Sequence, residues 1–520
     1  MSRLQIIDAK RIEKLLFLLG FAKVRQKGSH VFYRHPDGRT TTVPHHKGRV
    51  LARPLIREIL REIDVKVDDY NKYLEKLYQL IMQKINIGLI GFGTVGTGVV
   101  KVLKENAKTI QERLGAEVVL KRIADKDLTR DRGVEVEKAI LTADANEILN
   151  DPSINIVIEL MGGIEPAKTF ILKSLKNKKH VVTANKALLS QHGEEIFKTA
   201  SANNVDIGFE ASVGGGIPII KALKEGLVAN RINSIYGIIN GTANYILSKM
   251  TNEGGKFEDV LKKAQEKGYA EADPTYDVEG IDTAHKLAIL INLTYGTYID
   301  LKDIYTEGIS KITPLDIKFA REFGYKIKLL AIAKEEGEKV EARVHATMIP
   351  ADHLLATVDG VYNAIHLKGN AVGSVMFYGR GAGMMPTASA VLADVVDICR
   401  NLKKGVSHRV SPLSYMEDSV KKVEIKHIEN LEIPYYLRFS VLDKPGVLSR
   451  ISGVLGNHNI SILSVIQKDR KVGGAVPIVI MTHHAREKEL MSALKEIDRL
   501  DVVRDKTVYL RIEENLGGGD

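Results

Sequence analysis

The stretch I-N-I-G-L-I-G-F-G-T-V-G, residues 85–96, joins a short apolar strand pattern to a glycine-rich turn, and a helical pattern follows from about Thr97. Within it, Gly91 permits the tight turn, Gly93 lets the backbone approach a pyrophosphate, and Gly96 lets helix and strand pack closely. The phosphates would lie at the positive end of the helix. The stretch therefore predicts a Rossmann-type dinucleotide-binding domain with these cofactor-binding residues: Gly91, Phe92, Gly93, Thr94, Val95 and Gly96.

An acidic residue after the second strand is the next element that such a domain needs. Val118 to Ala124 has the pattern of that strand and Asp125 closes it, after a helix predicted from Val99 to Leu114. An acid at this point favours the free ribose of NAD, whereas the nearby Lys126 and Arg130 could bind the additional phosphate of NADP. The sequence leaves both cofactors open.

Two further strand-and-loop units follow along the chain. Ile154 to Leu160 ends in M-G-G, and His180 to Thr183 ends in A-N-K, whose last residue is Lys186. Open α/β sheets bind their ligands at the carboxyl ends of the strands. We therefore expect Lys186 to face the cofactor or the reacting group, the alternative being a solvated loop lysine.

The segment G-Y-A-E-A-D-P-T-Y-D-V-E-G-I-D-T-A-H-K, residues 268–286, combines five carboxylates with one lysine and then enters an apolar helical pattern. Asp282 and Lys286 are four residues apart, so their side chains share one face of a helix. A carboxylate placed there can tune the ammonium group, which could then donate a proton to a carbonyl. The alternative is an ordinary salt bridge between successive helical turns.

The composition favours a large multidomain enzyme. The chain has 520 residues, 44% of them hydrophobic, a length typical of about three or four domains. No apolar run approaches the roughly 20 residues that span a membrane, and the charged start M-S-R-L-Q-I-I-D predicts no signal peptide. Cys399 is the only cysteine and no histidine pair has zinc-ligand spacing. These features disfavour a disulfide or a zinc site and predict a cytoplasmic location.

Six ordered motifs between about Lys84 and Asp520 resemble the homoserine dehydrogenase family of the long bacterial or archaeal type. They are G-F-G-T-V-G (91–96), V-T-A-N-K-A-L-L (182–189), F-E-A-S-V-G-G-G-I-P-I-I (209–220), N-G-T-A-N-Y-I-L (240–247), the acidic segment 268–286, and G-R-G-A-G-M-M-P-T-A-S-A-V-L-A-D (379–394). The resemblance implies NAD- or NADP-dependent interconversion of L-aspartate 4-semialdehyde and L-homoserine in threonine, methionine and isoleucine biosynthesis. It also implies a homo-oligomer, a dimer or tetramer. One alternative is a different amino-acid oxidoreductase on the same scaffold, and another is an RNA-cleaving or RNA-binding fusion that acts through the N-terminal domain.

The same resemblance implies roles for individual residues. The implied catalytic residues are Lys286 as general acid, Lys186 and Asp282. The implied substrate-binding residues are Glu271, Asp277, Gly268 and Gly241, while Lys186 and Gly383 join the cofactor-binding set. A monovalent cation, Na⁺ or K⁺, is implied at Glu210, Val213, Gly215 and Ile217, where the alternative is a plain glycine turn before a helix.

The C-terminal part has the pattern of a separate module after a linker from His427 to Pro434. Its predicted order is strand, helix, strand, strand, helix, strand, which is the ferredoxin-like pattern. With D-K-P-G-V-L (443–448) and H-N-I-S-I (458–462) it resembles an ACT domain, a module that commonly binds amino acids at its interfaces. The resemblance implies threonine as effector, and the residues to test are Asp443, Gly446 and Asn459. A purely structural role in dimerisation is the alternative.

The first 70 residues carry most of the net charge. They contain 15 Lys and Arg against 8 Asp and Glu, so +7 of the chain's +10. This balance predicts an anionic partner such as nucleic acid. The predicted α-β-β-β-α order is that of a double-stranded-RNA-binding fold. The motifs L-L-x-x-L-G-F (15–21), K-G-S-H (27–30), F-Y-R-H-P-D-G-R (32–39) and T-V-P-H-H (42–46) resemble the HicA (YcfA-like) toxins. That resemblance implies RNA cleavage with His30 as the catalytic residue, and an antitoxin partner. The alternative is that His30 is only a polar strand residue.

The predicted fold class is thus a multidomain α/β protein. The predicted parts are a small dsRBD-like domain (1–70), a helical connector (71–83), a Rossmann-type nucleotide domain (84–215), an α+β substrate and dimerisation domain (216–401), and a ferredoxin-like ACT domain (430–515).

Overall fold

The computed structural model describes residues 4–46, 49–468 and 474–516. The chain forms two compact units, one of residues 1–84 with 111–117 and the other of residues 85–110 with 118–520. No helix in the described ranges is long and apolar enough to cross a membrane.

The first unit contains the predicted α-β-β-β-α order followed by one more helix. Its elements are α1 (Ala9–Leu18), β1 (Ala22–Lys27), β2 (His30–Arg34), β3 (Thr40–Pro44), α2 (Arg53–Glu62) and α3 (Val67–Ile81). Asp8 caps α1 by accepting a hydrogen bond from the Arg11 N–H at 2.9 Å. The three strands form an antiparallel sheet, and the helices bury one of its faces. Tyr70, Leu74 and Leu77 of α3 belong to this same core.

The nucleotide domain is a six-stranded sheet flanked by helices. Its elements are β4 (Lys84–Ile90), α4 (Thr94–Glu105), α5 (Ala107–Leu114), β5 (Glu117–Ala124), β6 (Leu141–Thr142), α6 (Asn146–Leu149), β7 (Ile156–Glu159), α7 (Ala167–Lys176), β8 (His180–Thr183), α8 (Lys186–Asn203) and β9 (Ile207–Gly208). The strand order β6-β5-β4-β7-β8-β9 is that of a doubly wound Rossmann sheet, which confirms the predicted fold.

One predicted helix of this domain is in fact two. The first begins at Thr94, at the glycine turn rather than at Val99, because Gly93 occupies its N-cap. It ends at Asn106, whose backbone leaves the helical conformation, and α5 begins with the next residue. The prediction of one continuous helix was wrong because apolar periodicity does not register a single non-helical residue between two helical segments.

The middle of the chain forms the domain that the sequence predicts to bind the substrate, called the substrate domain below. Its elements are α9 (Ile219–Lys221), which continues as a π-helical turn, β10 (Ile232–Ile238), α10 (Gly241–Glu253), α11 (Phe257–Glu266), α12 (Thr275–Val278), α13 (Ile281–Tyr295), β11 (Tyr305–Thr306), α14 (Pro314–Glu322), β12 (Tyr325–Glu336), β13 (Lys339–Pro350), β14 (Tyr362–Gly369), β15 (Gly373–Arg380) and α15 (Met384–Lys404). Helix α13 is buried along nearly its whole length.

The C-terminal part has the predicted ferredoxin-like order. Its elements are β16 (Glu424–Ile425), β17 (Glu432–Ile433), β18 (Tyr435–Leu442), α16 (Val447–Asn457), β19 (Ile462–Ile466), β20 (Ala475–Thr482), β21 (Ala485–Arg486), α17 (Glu487–Ile497) and β22 (Val503–Ile512). The four long strands lie in the order β22-β18-β20-β19, and both helices pack into their own hydrophobic core.

The ACT strands continue the sheet of the substrate domain. In the described part of the chain, eleven strands form one sheet in the order β15-β14-β10-β12-β13-β22-β18-β20-β19, with β11 and β16 also paired to β13. The junction is the parallel pair between β13 and β22, in which Thr347 lies opposite Arg511. The sequence predicted a separate module after a linker. It did not predict the shared sheet, because the pairing of two strands more than 150 residues apart leaves no local signal in the sequence.

Candidate active site

The glycine turn has the geometry that a bound pyrophosphate requires. Gly91 has a φ of +97°, and a side chain there would press on the backbone of Leu160. A Cβ at Gly96 would collide with the carbonyl oxygen of Gly91. Gly93 and Thr94 are exposed at the start of α4, where no atom approaches the Cβ position of Gly93. The start of this helix is therefore open to solvent, which leaves room for a phosphate at its positive end.

Asp125 lies beside this turn but already accepts hydrogen bonds. The N–H groups of Phe92 and Asp127 donate to its carboxylate at 2.6 and 2.9 Å. Arg132 donates to it at 3.3 Å and stacks over the Phe92 ring, 4.6 Å from its centroid. Arg132 also donates to the carbonyl oxygens of Phe92 and Arg130. Sequence reasoning missed Arg132, because its partners lie up to 40 residues away.

Hydrogen bonds connect the loops that follow β7 and β8. Glu159, buried at the end of β7, accepts hydrogen bonds from the Thr183 hydroxyl and the Met161 N–H, both at 2.7 Å. Burial raises the pKa of Glu159. Asn185 caps α8 and donates to the carbonyl oxygen of Gly163 at 2.7 Å. These contacts fix the start of α8, whose first residue is Lys186.

Lys186, at the start of α8, lies beside Asp282 and Lys286 of α13. The Lys286 ammonium donates to Asp282 at 2.6 Å and to the carbonyl oxygen of Ile239 at 2.7 Å. The Lys186 ammonium lies 2.9 Å from the other oxygen of the same carboxylate. Asp282 and Lys286 are buried, whereas the Lys186 side chain keeps 38% of its surface exposed. Two cations therefore share one buried carboxylate.

The two lysines have opposite pKa shifts. Burial lowers the pKa of Lys286, and the attraction of Asp282 opposes this only in part. Burial also acts on Lys186, but Asp282 outweighs it and raises the pKa of that lysine. Burial alone would raise the pKa of Asp282, whereas the two ammonium groups hold it well below its usual range. Lys286 is therefore the ammonium that releases its proton more readily.

Asn240 connects this cluster to Asp277, which sequence reasoning did not foresee. Its amide donates to Asp277 at 2.6 Å and to Asp282 at 2.9 Å, and its carbonyl accepts from the Ala243 N–H at 2.8 Å. Asn240 thus caps α10 and holds the two carboxylates side by side. A signal existed, because asparagine begins the N-G-T-A-N-Y-I-L motif and is a preferred N-cap residue.

A second chain of hydrogen bonds lies one helical turn further along the α8–α13 contact. The Ser190 hydroxyl contacts Nδ1 of His285 at 2.5 Å and the carbonyl oxygen of Ala187 at 3.0 Å. The Tyr276 hydroxyl contacts Nε2 of the same ring at 2.6 Å, so the imidazole links Ser190 to Tyr276. Sequence reasoning assigned nothing to these three residues.

The remaining residues that the resemblance implies in substrate or cofactor binding lie in loops or at helix ends. Glu271 is exposed, and its carbonyl oxygen accepts from Gln265 at 3.1 Å. Gly268, with a φ of +70°, follows the end of α11. Gly241 begins α10 and faces the carbonyl of Val361. Gly383 precedes α15, a helix that packs against α4.

The predicted cation loop lies beside the buried acid Glu210 and the half-buried acid Asp394. Glu210 accepts from the N–H groups of Ile220 and Lys221, both at 2.8 Å, and its own N–H donates to Asp394 at 2.8 Å. Burial, and secondly the carboxylate of Glu210, raise the pKa of Asp394 to about 7. Val213 and Ile217 are buried and Gly215 has a φ of +53°, with the Ile217 carbonyl accepting from Ile219.

The predicted effector residues lie at both ends of one helix. Asp443 and Gly446 precede α16, and Asn459, with a φ of +56°, follows it. A helix of 11 residues is about 16 Å long, so one chain does not bring Asn459 to the other two.

A Rossmann sheet with an exposed glycine turn, in a chain that also holds a buried lysine–aspartate cluster, is the architecture of an NAD(P)-dependent oxidoreductase. Models of the homoserine dehydrogenase NAD-binding domain and of homoserine dehydrogenase match residues 91–210 and 218–396. An ACT domain model matches 435–500, and a model of the HicA toxin of bacterial toxin–antitoxin systems matches 9–65.

Whole-chain comparisons give the same result. The chain is 46% identical to a homoserine dehydrogenase of Neisseria gonorrhoeae over 83% of its length and 99% of that protein. It is 44% identical to one of Pseudomonas aeruginosa over 83% of its length and 100% of that protein. A solved homoserine dehydrogenase of Thiobacillus denitrificans superposes with a TM-score of 0.79 at 46% identity, covering 83% of this chain and 99% of that one. The chain belongs to the homoserine dehydrogenase family.

Proposed function

We propose that Lys286, Asp282 and Lys186 form the catalytic centre for the reduction of L-aspartate 4-semialdehyde to L-homoserine. The observation that carries this proposal is the sharing of one buried carboxylate by two ammonium groups. When bound, the nicotinamide supplies the hydride to the aldehyde carbon. The oxygen then needs a proton, and Lys286, with its lowered pKa, is the better donor. Lys186 stays charged and stabilises the developing alkoxide.

The carboxylates of Asp277 and Glu271 are proposed to bind the ammonium group of the substrate. Asn240 supports this role for Asp277, because it orients that carboxylate beside Asp282. Glu271 is exposed and so is accessible to a substrate. Gly268 and Gly241 would line the same side.

The test is the oxidation of NADPH and NADH by the full chain with aspartate 4-semialdehyde. We expect turnover by the wild type and a loss of at least about 100-fold in Lys286→Ala, as for removal of a general acid. Succinate semialdehyde lacks the amino group and should be a poor substrate. Equal rates with both aldehydes would favour a different oxidoreductase, and no turnover with either cofactor would refute the proposal.

NADP is the proposed cofactor. The Asp125 carboxylate already accepts from Phe92, Asp127 and Arg132, which leaves it poorly available to a ribose hydroxyl. Lys126 and Arg130 are exposed beside it and suit a phosphate. One archaeal homoserine dehydrogenase, 27% identical with a TM-score of 0.52, has been solved in complex with NADPH.

A monovalent cation is proposed near Glu210, with Val213, Gly215 and Ile217 supplying carbonyl oxygens. The residues fit such an ion, because the buried Glu210 and the half-buried Asp394 place two carboxyl groups side by side. We expect faster turnover in NaCl or KCl than in tetramethylammonium chloride of equal ionic strength, and no such difference in Glu210→Gln. Equal rates of the wild type in all three salts would contradict the site.

Threonine is the proposed effector of the ACT domain. Because Asn459 lies at the far end of α16 from Asp443 and Gly446, these residues would meet only across two copies of the chain. This arrangement accords with the proposed homo-oligomer and with a biosynthetic enzyme in the cytoplasm. Initial rates with and without L-threonine, in wild type and Asn459→Ala, test the role, and an unchanged wild-type rate would leave the domain structural.

Binding and cleavage of RNA is the second proposed function, carried by the N-terminal unit. The strand register places Arg25 opposite Phe32 and Lys27 opposite His30 on the face away from the core. Arg25 and Arg34 flank the Phe32 ring at 5.2 and 5.9 Å. Strands β1 to β3 contain no acidic residue. An aromatic ring between two guanidinium groups suits a stacked base and its phosphates.

Fluorescence anisotropy of a short labelled single-stranded RNA tests this face on the full chain. Phe32→Ala should weaken binding about tenfold, the loss of one stacked base. The control is Phe17→Ala, a half-exposed phenylalanine on α1. His30→Ala should keep binding and abolish any cleavage. No binding by the wild type at low salt would refute the function, and an antitoxin-type protein partner stays a prediction.

A further inference from the structure

One edge of β13 places the ACT domain beside residues 305–309 of the substrate domain. Three strands pair with this edge in succession: β16 at Lys339, β11 at Arg343 and β22 at Thr347. Strand β11 leads into Glu307, and β22 carries Arg511. The last strand of the ACT domain therefore lies beside a short segment of the substrate domain, residues 305–309.

Arg511 divides its hydrogen bonds between the two domains. Its side chain is 2% exposed. It donates twice to Glu487 at the start of α17, at 3.0 and 2.5 Å. On the other side it donates to Glu307 and to the Tyr305 hydroxyl, both at 3.0 Å, and stacks over the Tyr305 ring. The guanidinium thus ties an ACT helix to the 305–309 segment.

The 305–309 segment in turn supports the turn between α12 and α13. The Glu307 N–H donates to the Val344 carbonyl, and the Ile309 N–H donates to the Val278 carbonyl, both at 2.8 Å. Gly308 lies against Val278 and Glu279 so closely that a Cβ there would collide with both. Gly280, with a φ of +80°, has Val344 and Thr306 as immediate neighbours.

This turn carries Asp282 of the proposed catalytic centre and Asp277, which is proposed to bind the substrate. Asp277 precedes Val278 directly, and Asp282 follows Gly280 by two residues in the first turn of α13. Asn240 bridges the two carboxylates. A displacement of Glu307 would therefore move the backbone that sets the separation of Asp277 from Asp282.

We propose that Arg511 is a positioning residue for the dehydrogenase reaction. From the ACT strand it holds Glu307, and the 305–309 segment then holds the α12–α13 turn in the geometry that binds the substrate. This inference rests on the proposed roles of Asp277 and Asp282. The ion pair between Arg511 and Glu307 is then the contact through which a shift of β22 changes the positions of Asp277 and Asp282.

Two variants break the contact at either end. Arg511→Lys keeps the charge but loses the divided set of hydrogen bonds, and Glu307→Gln keeps the shape but loses the charge. We expect each to raise the KM for aspartate 4-semialdehyde about tenfold, since small displacements of positioning groups have effects of this order or larger. The KM for the cofactor should stay unchanged, because the glycine turn lies elsewhere. The double variant should cost no more than the more severe single one, since both remove one contact.

Arg438→Lys is the matched control. Arg438 is another arginine of an ACT strand that reaches the substrate domain, where it bonds Asp316 of α14 at 2.6 Å. We expect it to lower the melting temperature about as much as Arg511→Lys without raising the substrate KM.

The outcomes separate this inference from the proposed function. A wild type without dehydrogenase activity would refute the proposed function itself. An active wild type whose Glu307→Gln variant keeps the wild-type substrate KM would overturn the positioning role, even if Arg511→Lys failed to fold. An equal rise in KM for Arg438→Lys would also overturn it, because the effect would then be general loosening of the domain contact.

Discussion

The active site and the contact between the ACT and substrate domains both bury charged side chains, but they balance charge differently. In the active site, Lys186 and Lys286 share the single carboxylate of Asp282. At the domain contact, Arg511 faces Glu487 and Glu307, and Arg343 faces Glu513 and Glu341. In the active site two ammonium groups contact one carboxylate, whereas at the domain contact each of the two arginines contacts two carboxylates.

This difference separates a group that can transfer a proton from one that can only hold a structure. Burial lowers the pKa of Lys286, since half a carboxylate does not compensate for lost hydration. Burial acts in the same direction on Arg511 and Arg343, but their carboxylates outweigh it and raise the pKa of both. An arginine so matched stays protonated at every pH at which the protein is folded.

The largest expected effect comes from making the active site resemble the domain contact. Lys286→Arg keeps the positive charge but replaces a titratable ammonium with a guanidinium that does not release its proton. We expect kcat to fall about 1,000-fold, within the range for a lost general acid. Lys186→Arg is the matched control and should lose much less, since only its charge is required. Similar losses in both variants would mean that Lys286 does not differ from Lys186 as a proton donor.

The next effect is on stability at the domain contact. Arg343→Met leaves Glu513 and Glu341 buried with one lysine partner each. We expect the free energy of unfolding to fall by about 3 kcal/mol, the lower end for breaking a buried ion pair. Urea denaturation measures it, and kcat well below the melting temperature should stay near the wild-type value. A fall in kcat without a loss of stability would contradict the structural role of the arginine.

The pH dependence of the reduction rate tests whether Lys286 is the proton donor. The protonated form of Lys286 is active in reduction, so the rate should decline as pH rises through a pKa that lies below the ordinary lysine value. Asp282 raises that pKa, so Asp282→Asn should lower it further and move the decline to lower pH, besides reducing the rate. The profile of kcat/KM against pH measures the change. A decline displaced to higher pH would show that Asp282 does not act on this lysine.

The smallest expected effect concerns the charged residues of the loop after β5, near the glycine turn. Arg132 is matched by Asp125 and by backbone carbonyls, whereas Lys126 and Arg130 are exposed. Replacing both exposed residues with alanine should lower kcat/KM for NADPH about tenfold, the loss of charge-assisted contacts to one phosphate. The value for NADH should not change, which makes NADH the internal control. Equal losses with the two cofactors would place these residues away from the extra phosphate.

Much of the local structure could be read from the sequence. The glycine turn, the strand before it and the order of strands and helices in the ACT domain all agree with what periodicity and turn residues predict. The Asp282–Lys286 pair forms because residues four apart meet on any helix. Each of these features depends on residues within a few positions of one another, where backbone geometry alone fixes the neighbours.

The tertiary structure decided which of these local features act together. Lys186 and Asp282 are nearly 100 residues apart and meet only because α8 packs on α13. Asn240 and Arg132 acquire their partners in the same way, and Arg511 reaches Glu307 only because β22 and β11 pair with one edge of β13. Sequence patterns record which face of a strand or helix is buried. They do not record which distant element covers it, because that choice is made by the packing of the whole domain.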